Sequence, residues 1–283
     1  MSEHSLIKRT AHAAGSAAVN VFILLFSLFC LFPVYWMLAS SVKNDSDFYM
    51  NLAGFPQTFR PSNYLAAVNV GRLDIAFVNS AIVSGIAVFL ILLISFVMGI
   101  VFARYQFKGK GFLYIMFLSG MLIPVHALLI PIFIELRAFS MLNNRFALAL
   151  VYTVFGLPKG IFLVTAYAST IPREIEEAVF IDGGNIHQLF FKIFMPMCSP
   201  VLGTLTILSF LDAWNEFPFS LILMGRPELK TLPIALTYFQ GQYFVEYTMM
   251  MAGLSIATLP VVIVYFIFHK RIMQGMVAGS VKG

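Results

Sequence analysis

A chain of 283 residues that is 60% hydrophobic and 11% charged, with a mean hydropathy of +0.88, is too apolar for a soluble globular domain and reads as a polytopic membrane protein. Its formal charge of +5 does not point to nucleic acid, because the basic residues lie in short clusters between apolar segments and not on one face. The two cysteines, Cys30 and Cys198, fall in or beside apolar segments and read as small hydrophobes, with no disulfide and no metal site implied.

Six stretches reach the roughly 20 apolar residues that a helix needs to cross the hydrocarbon core: 18–40, 75–103, 112–134, 146–169, 198–224 and 248–269. Lipid requires backbone polar groups to be satisfied internally, and runs this long suit helices and not barrel strands. The expected fold is therefore an all-α membrane protein, a six-helix bundle over residues 18–269 with tails at 1–17 and 270–283. Lys8 and Arg9 precede the first run in the manner of a secretory signal, but the run is too long and lacks a small-residue cleavage site, so it is expected to stay as an anchor. That span ends in Pro33-Val34-Tyr35-Trp36, with aromatics where an interfacial belt would sit. The loop from Ser41 to Asp74, with Pro56 and Pro61, is long enough to touch an external partner, and the basic turn Ala103–Gly111 reads as a topology signal. With the N-terminus inside, ten Lys and Arg lie on the inner side against seven outside, a modest bias that puts both termini in the cytoplasm.

Between the fourth and fifth spans, residues 170–197 form a polar interruption that reads as two short amphipathic helices and a break. Ile175, Ala178 and Val179 share one face of the first helix, and Ile186, Leu189, Phe190 and Ile193 share one face of the second. Thr170 and Pro172 suit a helix start, and Glu174, Glu176 and Glu177 favour the positive end of the helix dipole. Gly183 and Gly184 suit a helix stop, and Asn185 with Gln188 three residues on resembles a cap for the next helix. A helix-turn-helix elbow is expected.

Glu177-Ala178-Val179, Gly183 four residues after Val179, and Ile193-Phe194-Met195-Pro196 together resemble the Glu-Ala-Ala loop of ABC-importer membrane subunits, with matching spacing throughout. Val179 and Met195 depart from the pattern but keep an apolar residue. Further along the chain, Met121-Leu122-Ile123-Pro124, Leu129-Ile130-Pro131, Asn143-Asn144, Trp214-Asn215-Glu216, Thr231-Leu232-Pro233 and the terminal Ala278–Gly283 are similar to the carbohydrate-importer branch, in its shorter, maltose-permease type. The resemblance implies a single transmembrane domain over residues 1–283 that pairs with a second permease, two ATPase subunits and an extracytoplasmic sugar-binding protein. It implies that the elbow sits in a cleft of the ATPase, with Glu177, Ala178, Asp182, Gly183, Ile193 and Pro196 as the coupling residues. Tyr238, Phe239, Tyr243 and Phe244 of the last outer loop read as interface anchors or as a contact to the binding protein.

The chain has no phosphate-binding loop, no zinc signature and no Ser/His/Asp arrangement, so it is expected to be neither an ATPase nor a hydrolase. ATP and magnesium would belong to the partner ATPase, and no cofactor is expected in this chain. Lys159, Asp212 and Glu216 fall inside expected spans, where ionisable residues usually face the bundle interior or a water-filled cavity. Lys159 is expected to pair with Asp212 or Glu216, or else to snorkel, or all three line an aqueous path unpaired. Asn215, beside them with Trp214, is a pathway candidate for sugar, with a structural role at a helix irregularity near Pro218 as the other reading. The function expected is the permease subunit of an ABC sugar importer in the cytoplasmic membrane. A proton-coupled secondary transporter using these charges, or an ABC permease for another solute, are the alternatives.

Overall fold

The structure, a computed structural model, describes residues 3–241 and 245–280, with side chains described for 15–241 and 245–269. Tyr243 and Phe244 thus lie outside the described residues, as do the side chains of residues 1–14 and 270–283. Every element among the described residues is helical, apart from one isolated bridge between Gln240 and Val245. The backbone groups into two compact units, Met1–Gly71 with Phe239–Ile256, and Arg72–Tyr238 with Ala257–Gly283.

In the first unit, α1 (Glu3–Ser41) carries the first apolar run. The following segment, which the sequence leaves as a loop, forms α2 (Asp45–Met50) and α3 (Ser62–Gly71). Polar groups pin it from inside. Asp47 accepts hydrogen bonds from the backbone N–H of Gln57 (2.8 Å) and Thr58 (3.0 Å) and from the Thr58 hydroxyl (3.1 Å). Asn63 donates to the carbonyls of Ser41 (2.9 Å) and Lys43 (2.7 Å), tying α3 to the end of α1. The Phe48 ring stacks on Tyr247 at 5.3 Å, where α14 (Tyr247–Ser280) begins.

The second unit is built on α4 (Leu73–Arg104) and α7 (Arg145–Ala168), which run along each other, with α11 (Ser199–Trp214) against both. Small residues let the first two approach. Gly156 and Gly160 of α7, four residues apart, face Ile91 and Ser95 of α4, and a Cβ at Gly160 would stand 2.1 Å from the Ser95 hydroxyl oxygen. α5 (Lys110–Ser119) and α6 (Leu129–Ala138) are joined through two 3₁₀ turns. Asn144 caps α7 by accepting from the N–H of Phe146 (2.8 Å) and Ala147 (3.3 Å).

Among the described residues, four helices are long and apolar enough to cross a membrane: Gly15–Ser41, Leu73–Arg104, Arg145–Ala168 and Tyr247–His269. Two bent pairs bring the number to six if each is one span: Lys110–Leu122 with Val125–Ala138, bent by 92°, and Ile186–Met197 with Ser199–Trp214, bent by 71°. Two expected spans therefore change shape. The run 112–134 is not continuous, because Pro124 supplies no N–H and pushes Ile123 into the extended region, ψ 125°. The run 198–224 stops at Trp214; Asn215–Phe217 break it, and Pro218 opens a separate short helix, α12 (Pro218–Leu223). α13 (Leu232–Leu236) follows and packs against α4.

Candidate functional site

The elbow forms as two arms. α8 (Glu174–Ile181) is closed by Gly183, whose φ of +77° is a left-handed conformation natural to glycine. Gly183 N–H donates to the Phe180 carbonyl (3.1 Å) and Gly184 N–H to the Val179 carbonyl (2.8 Å), the paired bonds of a Schellman stop. The next arm begins with a reciprocal cap, in which the Asn185 side chain accepts from Gln188 N–H (3.0 Å) and the Gln188 side chain from Asn185 N–H (3.0 Å). That arm is α9 (Ile186–Gln188), a π-helical stretch Leu189–Phe194 and α10 (Met195–Met197).

Amphipathicity decides which side faces the bundle. Leu189, Phe194 and Cys198 are buried with Phe96, Ile100 and Val201, and Ile175, Val179 and Ile193 pack against this cluster. Glu177, Ala178, Asp182, Gly183 and Pro196 are exposed. Spacing places Ala178 on the apolar face of α8, yet it points outward with Phe180 (52% exposed) and Ile181 (84% exposed). The elbow thus presents an acidic and apolar outer surface on a backbone held by its own caps.

Arg104, in the sequence only one member of the basic turn Ala103–Gly111, holds the elbow to the bundle. Arg104, in the last turn of α4, is 5% exposed in its side chain. Its Nε lies 2.5 Å from Glu176 Oε1, its Nη2 donates to the Pro172 carbonyl at 3.1 Å, and its guanidinium sits 5.6 Å from the Phe194 ring centroid. Burial first, and then the Glu176 carboxylate, push the neighbouring Tyr105 phenol above its ordinary range, with Arg104 opposing. An arginine that closes an apolar run is the only mark it leaves in the sequence.

The charged residues of the spans separate into two groups. Lys159 of α7 forms an ion pair with Asp212 of α11. Asp212, near the middle of the run 198–224, lies in the last turn of α11, because the helix ends at Trp214; there the negative end of the helix dipole disfavours a carboxylate and a lysine offsets it. Glu216 does not meet Lys159. It accepts from Tyr152 OH (2.5 Å) and Ser220 N–H (3.1 Å) at Oε2 and from Phe219 N–H (2.7 Å) at Oε1, so it caps α12 and ties it to α7. Asn215 donates to the Leu211 carbonyl (3.0 Å) at the end of α11, and Trp214 donates to the Ala257 carbonyl (3.1 Å). Asp212, Asn215, Glu216, Tyr152 and His126 all border a cavity of about 580 Å³.

Among the described residues, long apolar helices with an exposed, self-capped elbow between α7 and α11 define an all-helical membrane-spanning class of protein. The chain belongs to the family of binding-protein-dependent transport system inner membrane components, whose profile matches residues 95–277. It is similar to the sulfoquinovosyl glycerol transport system permease protein SmoH of Agrobacterium fabrum, 32% identical over 89% of this chain and 89% of that one. It is also similar to the diacetylchitobiose uptake system permease protein NgcG of Streptomyces coelicolor, 29% identical over 96% of this chain and 93% of that one. Its fold matches a chain in the crystal structure of a bacterial ABC transporter involved in the import of the acidic polysaccharide alginate, with a TM-score of 0.78 at 21% identity, covering 96% of this chain and 99% of that one.

Family membership makes this chain a multi-pass inner-membrane permease subunit of an ABC importer, non-catalytic and without a cofactor of its own. Its partners include an ATPase and a binding protein. A proton-coupled secondary transporter is thereby set aside.

Proposed function

We propose that this chain is one permease of a heterodimeric sugar or oligosaccharide importer and that its elbow is the part that receives the motion of the ATPase. The sugar reading rests on relatives named for a sulfosugar glycoside and for a disaccharide, each about 30% identical over most of the chain. A non-sugar solute remains the reading to beat by ligand tests. The whole chain, residues 1–283, acts as a single transmembrane domain with both termini and the elbow, 170–197, in the cytoplasm. The ten-to-seven inward bias of Lys and Arg supports that orientation.

The observation that carries the coupling role is the outward face of α8. Glu177 offers a carboxylate to a basic partner, Ala178 allows close approach, and Phe180 and Ile181 supply apolar surface to a cleft. Asp182 ends the helix and offers a second charge, Gly183 permits the turn, and Ile193 and Pro196 fix the second arm. Closure of the two ATPases on ATP moves this rigid elbow, and the bundle switches between inward-facing and outward-facing states. Asp212, Asn215 and Glu216 border the cavity beside the proposed path, Lys159 joins them through its pair with Asp212, and Glu216 serves the helix break. In a reconstituted importer, Glu177→Lys is expected to assemble yet uncouple ATP hydrolysis from uptake. Normal sugar uptake by that variant would refute the coupling role.

A further inference from the structure

We infer that Arg104 is a positioning residue for coupling: it clamps both arms of the elbow to the end of α4, so that elbow and α4 move as one body. The inference rests on the elbow being the ATPase contact. The chain itself joins the elbow only to α7 and α11, the helices that enter and leave it. α4 has no covalent connection to the elbow, although it is the helix most closely packed on α7. Any displacement of the elbow must therefore reach α4 across non-covalent contacts.

Arg104 provides the polar part of that contact. Pro172 and Glu176 belong to the entry and the first turn of one arm, and Phe194 to the π-helical turn of the other. A single guanidinium touches all three. Its guanidinium pairs in charge with the Glu176 carboxylate, donates through Nη2 to the Pro172 carbonyl and lies near the Phe194 ring, a combination that the point charge of lysine does not reproduce. Apolar contacts such as those of Phe96 and Ile100 let packed surfaces slide by small steps. The ion pair to Glu176 and the Nη2 hydrogen bond to the Pro172 carbonyl hold Arg104 against two points of one arm at once, and both are lost if the elbow slides along α4. Removing the guanidinium leaves the apolar cluster, and with it the elbow's attachment, but releases the register between elbow and α4.

The test uses the complete importer, with both permeases, ATPases and binding protein in proteoliposomes, and reads solute imported per ATP hydrolysed. Arg104→Gln is expected to co-purify with the ATPase as wild type does and to lower that ratio by about tenfold, the scale of one buried charge-assisted contact. Arg104→Lys should recover only part of the ratio. Glu176→Gln should lower it in the same direction, and Arg104→Glu combined with Glu176→Arg should restore part of what Arg104→Glu loses. An unchanged ratio in Arg104→Gln, with Glu177→Lys uncoupled, would overturn the clamp while leaving the elbow's role intact. If Arg104→Gln fails to assemble and Glu176→Gln transports with a wild-type ratio, the contact is structural only and the inference is equally overturned. Normal uptake by Glu177→Lys would instead mark failure of the coupling role itself.

Discussion

Lys159 of α7 and Asp212 of α11 form an ion pair between the two helices that enter and leave the elbow. The pair ties these helices at a level well away from the elbow, so the two have a second connection besides the chain. In water such a pair, with side chains 29% and 68% exposed in this chain, is worth about 0–1 kcal/mol. Within a membrane the larger effect is the charge left behind when one partner is removed, at most the roughly 2.5–3.5 kcal/mol that insertion scales give at a helix centre. Lys159→Met is therefore expected to reduce assembled complex or transport, and Lys159→Asp with Asp212→Lys to recover part of the loss. Absence of any recovery, measured as uptake normalised to assembled complex, would discard the pair as a functional link.

Glu216 is bound by three donors from two directions, which gives it a measurable structural role. Tyr152→Phe removes one short hydrogen bond to a carboxylate and is expected to cost about 1.5–3 kcal/mol. Glu216→Gln keeps one acceptor oxygen and loses the charge that favours the N-terminus of α12. Both should lower the thermal unfolding temperature of the detergent-purified protein. An unchanged midpoint for Tyr152→Phe would show that this contact does not hold α12 to α7.

The elbow was legible in the sequence because local chemistry writes it: Gly183 and Gly184 stop one helix, and Asn185 with Gln188 starts the next. The breaks in the spans were hidden for the opposite reason. Residues 112–134 remain apolar across Pro124, and 198–224 stays apolar on average despite Asp212, Asn215 and Glu216, so hydropathy reads straight through the bend after Leu122 and the helix end at Trp214. Asn143, with φ of +57°, accepts from Arg226 N–H at 3.0 Å, and the Thr231 hydroxyl bonds Ser220 at 2.7 Å. These motif residues thus serve packing between segments distant in sequence, which no local pattern reveals. Arg104 is the same case, since its partners lie 68 and more residues away.

The closeness of α4 and α7 makes Gly160 intolerant of a side chain. A Cβ there would lie 2.1 Å from the Ser95 hydroxyl oxygen and 2.9 Å from the Ser95 Cβ. The hydroxyl can rotate away, but the Cβ moves only with the backbone of α4. Gly160→Ala is expected to destabilise by about 1–3 kcal/mol, and Ser95→Gly in the same chain to restore most of it. Thermal unfolding of the single and double variants checks this, and a Gly160→Ala protein as stable as wild type would show that the helices separate without cost.

Asp47 gives the first unit an acid limit. Burial works to raise its carboxyl pKa, but hydrogen bonds from Thr58, Gln57 and Asn51 outweigh it and hold the group below the ordinary value of 3.8. A carboxyl whose pKa is lower folded than unfolded contributes its stabilisation fully above the unfolded value and loses it as the pH falls through the folded one. The loop 51–58 should therefore loosen only below about pH 4. Trp36 reports on this loop, because its indole N–H donates to the Leu52 carbonyl at 2.8 Å. Tryptophan emission is expected to shift on acidification below that point in the wild type. In Asp47→Asn, which binds no proton there, the shift should already be present at neutral pH and show no acid step; an identical acid step in both proteins would remove Asp47 as its origin.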